Sequence, residues 1–137
     1  MRTVEHGDDR YLLVKSSGDS SLVRDPATGA ERYLPNEELT PVGESPLVAA
    51  AAAVPEARRR LILGVHSESD LGLLVELDAR GPLSVRELLG AYDLCESDLH
   101  GRLAELRAGG LLEETEVGGE RGYGATELAS EALEALQ

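Results

Sequence analysis

Apolar residues follow two rhythms along the 137-residue chain, strand-like patches near the N-terminus and helical spacing from about residue 45 onward. Tyr11-Leu12-Leu13-Val14 is a β-rich run that ends in the polar turn Ser16-Ser17-Gly18-Asp19, and Ser21-Leu22-Val23-Arg24 follows it. Asp25-Pro26-Ala27-Thr28-Gly29 has Pro and Gly where a tight turn wants them, and Arg32-Tyr33-Leu34 completes a third strand. Residues 1–44 are therefore expected to form a small antiparallel β-meander, with residues 35–44 as a polar connector holding Pro35, Pro41 and Gly43. Such a meander has too little apolar surface to stand alone.

Ser45-Pro46 is an N-cap followed by a first helical proline and leads into the alanines up to Ala53. Pro55 lacks an amide proton and starts a second helix, in which Ala57, Leu61, Ile62 and Val65 share one face. Residues 45–66 are thus predicted to be a pair of linker helices. Beyond them, Ser69 is placed to cap a helix in which Leu71, Leu74 and Val75 keep the 3.6 period until Gly81-Pro82 stops it. Ser84 with Glu87 makes a capping box for a second helix running to about Tyr92, and Leu94 is the apolar turn residue. A third helix starts near Cys95, points Leu99, Leu103 and Leu106 to the core, and ends at Gly109-Gly110, where a left-handed cap needs glycine. Residues 111–117 form a strand, 118–122 a glycine-rich tip carrying Arg121, and 123–125 the return. Thr126 caps a last helix striped with Leu128, Ala132, Leu133 and Leu136.

The pattern Leu103/Leu106/Gly110/Leu111 before the hairpin and Tyr123/Thr126 after it resembles that of the winged-helix transcriptional regulators, the ArsR and MarR types. The resemblance covers residues 67–137. It implies an α+β fold, with a C-terminal winged helix-turn-helix preceded by the small antiparallel β-meander and the linker helices, and it implies double-stranded DNA as the partner. In such proteins outward residues near the start of the third helix enter the major groove. Ser97, His100 and Arg102 match the usual inventory here, whereas Glu96 and Asp98 depart from it and suit capping of a first helical turn instead. Arg86 takes the position of a phosphate contact, with an ion pair to Glu87 or Asp93 as the alternative. Arg121 between its glycines is expected to reach a phosphate or a minor groove, or else to pair with Glu120. Leu128, Ala132, Leu133 and Leu136 are expected to hold a homodimer, the commonest arrangement that sets two recognition helices one DNA turn apart, unless they pack on the module's own first helix.

Charge complicates this expectation. Residues 1–67 hold 10 acidic and 8 basic side chains, but residues 68–137 hold 16 acidic and 5 basic, so −11 of the net −13 falls on the half expected to meet DNA. A protein that neutralises phosphates should present a basic footprint. One solution is a winged-helix module whose acidic surface contacts a basic protein partner. The other is work in molar salt, where repulsion is screened within a few ångströms and a hydrated acidic surface maintains solubility. Twelve Arg against one Lys (Lys15), no Phe or Trp, and abundant Ala, Gly, Asp and Glu look like a haloarchaeal proteome. The three adjacent residues Arg58-Arg59-Arg60 point to different sides of a helix and are expected to pair with surplus acid.

The remaining chemistry is sparse. A single cysteine, Cys95, excludes an intramolecular disulfide and is expected to be a buried small apolar residue. His6, His66 and His100 lack ligand spacing, and there is no nucleophile with a base, no phosphate loop in a strand-to-helix context and no paired-carboxylate pocket. Neither metal, cofactor nor catalysis is expected. The longest apolar run, residues 47–54, is too short to cross a bilayer, and without a charged-then-apolar leader the location expected is cytoplasmic.

Overall fold

Strand alternation organises the first part of the computed structural model, which describes residues 1–137 and divides into two units, Met1–Pro55 and Glu56–Gln137. In the first unit β1 (Arg2–His6), β2 (Asp9–Ser17), β3 (Ser20–Arg24), β4 (Glu31–Pro35) and β5 (Thr40–Val42) form one antiparallel sheet in the order β4-β3-β2-β1-β5. Val4 pairs with Tyr11 and Leu13 with Val23, so period-two alternation gathers Val4, Tyr11, Val23 and Leu34 into one small core with Leu13 and Leu39 at its edge. Arg32 donates to the Tyr11 hydroxyl at 2.8 Å and lies 5.4 Å over its ring. Helix α1 (Pro46–Ala51) rests on β1 and β2, where the paired residues Thr3 and Leu12 are buried along with Ala49 of the helix.

The sheet has two strands more than the expected meander. Only Val4 among residues 2–6 is a large apolar residue, so β1 carries little pattern of its own. β5 contains Pro41 and lies within the expected connector; it survives because it is an edge strand, where a missing amide proton costs no ladder bond. The helices expected as one linker over residues 45–66 also separate, α1 belonging to the first unit and α2 (Glu56–Gly64) to the second.

In the second unit α2 is followed by α3 (Glu68–Arg80), a two-residue strand β6 (Leu83–Ser84), α4 (Val85–Tyr92), α5 (Glu96–Ala108), the hairpin β7 (Leu112–Val117) and β8 (Glu120–Ala125), and α6 (Glu127–Leu136). Local chemistry sets most boundaries. The Ser67, Ser84 and Thr126 hydroxyls accept from the backbone amides of Asp70, Glu87 and Ala129 at 3.1, 3.1 and 3.2 Å, so α3 is capped by Ser67 instead of the expected Ser69. Asp93 ends α4 in the left-handed region at φ 50°, and three residues later α5 is under way. Gly110, at φ 75°, lets the chain turn back so that the Leu111 amide donates to the Leu106 carbonyl at 2.9 Å.

Leucines fill the core of this unit. Leu74, Leu77, Leu88, Leu99, Leu103, Leu106 and Leu111 are essentially inaccessible, joined by Leu61, Leu73, Leu83, Leu112 and Tyr123. Each such leucine contributes roughly 1.5–3 kcal/mol of transfer free energy, which is how a chain without Phe or Trp makes a core. β6 adds a third strand to the hairpin in the order β6-β8-β7, and Gly122 permits it, because a Cβ there would sit 2.6 Å from the Leu83 carbonyl oxygen. No helix is long and apolar enough to cross a membrane.

Candidate functional site

α5 and the β7–β8 hairpin enclose a groove of about 590 Å³ lined by His100, Leu103, Ala104, Arg107, Ala108, Arg121 and Tyr123. The helical period creates one wall, since His100, Ala104 and Arg107 follow one another at four- and three-residue steps. The strand period creates the other. Glu114 faces Tyr123 and Glu116 faces Arg121 across the ladder, so all four side chains leave the same side of the hairpin.

Arg121 does not sit at the hairpin tip. Gly118 and Gly119, at φ 59° and 80°, close a two-residue turn by themselves, which begins β8 at Glu120 and commits Arg121 to the strand. Its guanidinium donates to the Tyr123 hydroxyl at 2.8 Å, lies 5.7 Å from that ring, and pairs through Nε with Glu114 at 3.2 Å. The Tyr123 hydrogen bond first, then the electrostatic influence of Tyr123 and Glu114, hold Arg121 above the ordinary arginine pKa. Arg107 reaches the other oxygen of Glu114 at 3.0 Å.

The other expected contact residues divide between this groove and different surroundings. Ser97 is exposed and 3.5 Å from the Cys95 thiol, and His100 lies 3.7 Å from Glu96 one turn earlier. Arg86 is 83% exposed and pairs across with Glu120, neither with Glu87 nor with Asp93. Arg102 faces elsewhere. At 3.6 residues per turn it lies about 200° around the helix from His100. There its Nη1 donates to Asp70 at 2.7 Å and to the capping Ser67 hydroxyl at 3.2 Å, joining α5 to the start of α3. Asp70 is 2% exposed, and Arg102 Nε is buried without a partner, so the pair is a structural tie.

Two further expectations are corrected by burial. Cys95 is exposed, because as the N-cap of α5 it stands outside the helix, and its side chain makes no cap bond. In the C-terminal stripe, Ala132 and Leu133 are buried and Leu128 is packed against the unit's own core, where α6 lies on α2 and α3. Only Leu136 projects, at 62% exposure. The large apolar side chains left open in this unit are Ile62, Leu63, Leu71 and Leu136. Arg107 was missed from sequence although it lies seven residues, two helical turns, after His100.

The whole chain, residues 1–137, matches the model of a family described as a family of unknown function, DUF7346. The chain belongs to that family. No curated protein matches it, and no solved structure does. The chemistry of this DUF7346 member is therefore carried by its own geometry: a concave groove, three basic side chains from two elements, and one carboxylate between two of them.

Proposed function

We propose that α3, α4 and α5 with the β7–β8 hairpin are a winged helix-turn-helix, and that the protein is a DNA-binding transcriptional regulator adapted to high salt. One observation carries this reading: in a unit with 17 acidic and 8 basic side chains, Arg107 and Arg121 converge with His100 on a groove between the helix and the hairpin. Ser97, His100, Gly101 and Ala104 keep the exposed side of α5 low, and a Cβ at Gly101 would meet nothing within 4 Å, so the helix axis can approach base edges closely. Arg107, Arg121 and Arg86 are the phosphate contacts in this reading, and Ser97 and His100 the base-side ones. Arg102 supports α5 from behind. Two copies would serve two half-sites, with the outer face of α2 at Ile62 and Leu63 as the contact surface in place of the buried α6 stripe.

A second reading, a protein-interaction module that meets a basic partner, is favoured by a different observation. Arg86, Arg107 and Arg121 each already have a carboxylate partner, while Glu96 and Asp98 remain exposed on the first turn of α5. Selection of bound genomic fragments in concentrated KCl, run beside a pull-down with Glu96→Gln/Asp98→Asn, separates the two. A regulator enriches discrete fragments, and the amide variant binds them more tightly. An adaptor enriches none, and the same variant loses its protein partner.

A further inference from the structure

Glu114 occupies an unusual place for a carboxylate. It lies on β7, the edge strand of the β6-β8-β7 sheet, with Oε2 3.0 Å from Arg107 Nη1 and Oε1 3.2 Å from Arg121 Nε. One carboxylate thus joins two guanidiniums from different elements, one oxygen to each. Two non-bridging oxygens of a phosphodiester present the same donor-matching geometry. Arg121 does not need Glu114 to hold its position, since the Tyr123 hydroxyl at 2.8 Å and the ring face already orient it. Glu114 is itself 37% exposed, and nothing but the two arginines takes its carboxylate oxygens in a hydrogen bond or ion pair. Exposed pairs of this kind are weak, so the carboxylate can turn out to solvent when another anion arrives.

We infer that Arg107 and Arg121 form a two-arginine phosphate site and that Glu114 is its internal anion, a built-in competitor that the incoming phosphate must displace. This rests on the DNA-binding reading for the identity of the phosphate, a backbone phosphodiester, but the site itself is a property of the cleft that Arg107, Glu114 and Arg121 line together with Glu116 and Glu120. Glu120 pairs with Arg86 alone, on the opposite side of the hairpin. The competitor sets the salt response. A phosphate entering an open arginine site releases counterions, whereas a displaced Glu114 takes a counterion back, so the slope of log affinity on log salt becomes shallower by about one per displaced carboxylate. Binding then tolerates concentrated salt better than an open basic site would.

The test compares the full-length wild-type protein with Glu114→Gln, which keeps the shape and removes the charge. Fluorescence anisotropy on a duplex of about 20 base pairs, from about 0.2 M to 2 M KCl, should show Glu114→Gln binding about tenfold tighter at the low end and converging on wild type at the high end. A second arm uses sodium pyrophosphate and follows the arginine Nε–Hε resonances of Arg107 and Arg121 by NMR. Saturation at about tenfold lower pyrophosphate in Glu114→Gln is expected, with the gain abolished in Glu114→Gln/Arg107→Ala. Equal pyrophosphate affinity in wild type and Glu114→Gln overturns the inference, even if DNA binds both. Tighter pyrophosphate binding by Glu114→Gln with no DNA binding by either protein supports the masked site and removes the DNA-binding reading alone.

Discussion

Replacing either partner of the Asp70–Arg102 pair should give unequal results, because the two ends differ in their access to water. Asp70 is 2% exposed and Arg102 about a third exposed, at a contact of 2.7 Å. Arg102→Ala strands a carboxylate that is only 2% exposed, and removing one member of such a buried pair costs about 3–5 kcal/mol. The partial exposure of Arg102 places the expected loss near the lower end, about 3 kcal/mol, roughly 12–24 °C in melting temperature for a unit of this size. Asp70→Ala leaves a guanidinium that can swing outward, and should cost only about 1–2 kcal/mol. The double variant should be more stable than Arg102→Ala alone, since no buried charge remains. Thermal melts by circular dichroism in about 2 M KCl read all three. If Arg102→Ala melts within about 2 °C of wild type yet loses DNA affinity, Arg102 is a contact residue and the structural assignment is wrong.

Three other outcomes follow from the same structure. The melting temperature should rise from about 0.1 M to about 2 M KCl as self-repulsion within the acidic second unit is screened; an unchanged value rejects the adaptation to salt. Gly122→Ala puts a methyl 2.6 Å from the Leu83 carbonyl oxygen and should cost about 2–3 kcal/mol by pushing β6 off β8, seen in a denaturant titration; a neutral result would show that the strand pair yields freely. Leu133→Glu should unfold the unit, whereas Leu63→Glu should leave folding intact and convert a dimer to a monomer in light scattering; a monomeric wild type at micromolar concentration removes the dimer, and intact folding in Leu133→Glu removes the packing assigned to α6.

What the sequence disclosed was whatever depends on neighbours close along the chain. Ser84 with Glu87, Thr126 before its helix and Gly110 after α5 were readable because a cap acts over three or four residues. β1 and β5 were not, since Val4 is the one large apolar residue in β1 and Pro41 argues against a strand until its edge position is known. The site was legible in the same uneven way. His100 and Arg121 could be placed near one another from the order of elements, and the position of Arg107 was available from its two-turn spacing to His100. Arg102 required knowledge of Asp70, 32 residues earlier, and the α6 stripe required knowledge of α2, because tertiary partners decide which apolar face is already covered. The joining of Arg107 and Arg121 by Glu114 is a contact between a helix and a hairpin that no local pattern announces.

DNA in the groove between α5 and the hairpin is tested by fluorescence anisotropy of the best genomic fragment with wild type and Arg107→Ala/Arg121→Ala, from about 0.2 M to 2 M KCl. Loss of about two phosphate contacts should weaken binding to all sequences alike, by roughly 10–100-fold at the low-salt end, and flatten the salt slope, with the melting temperature unchanged. Equal affinity in wild type and the double variant across that range, or no fragment bound by wild type, would exclude DNA from the groove.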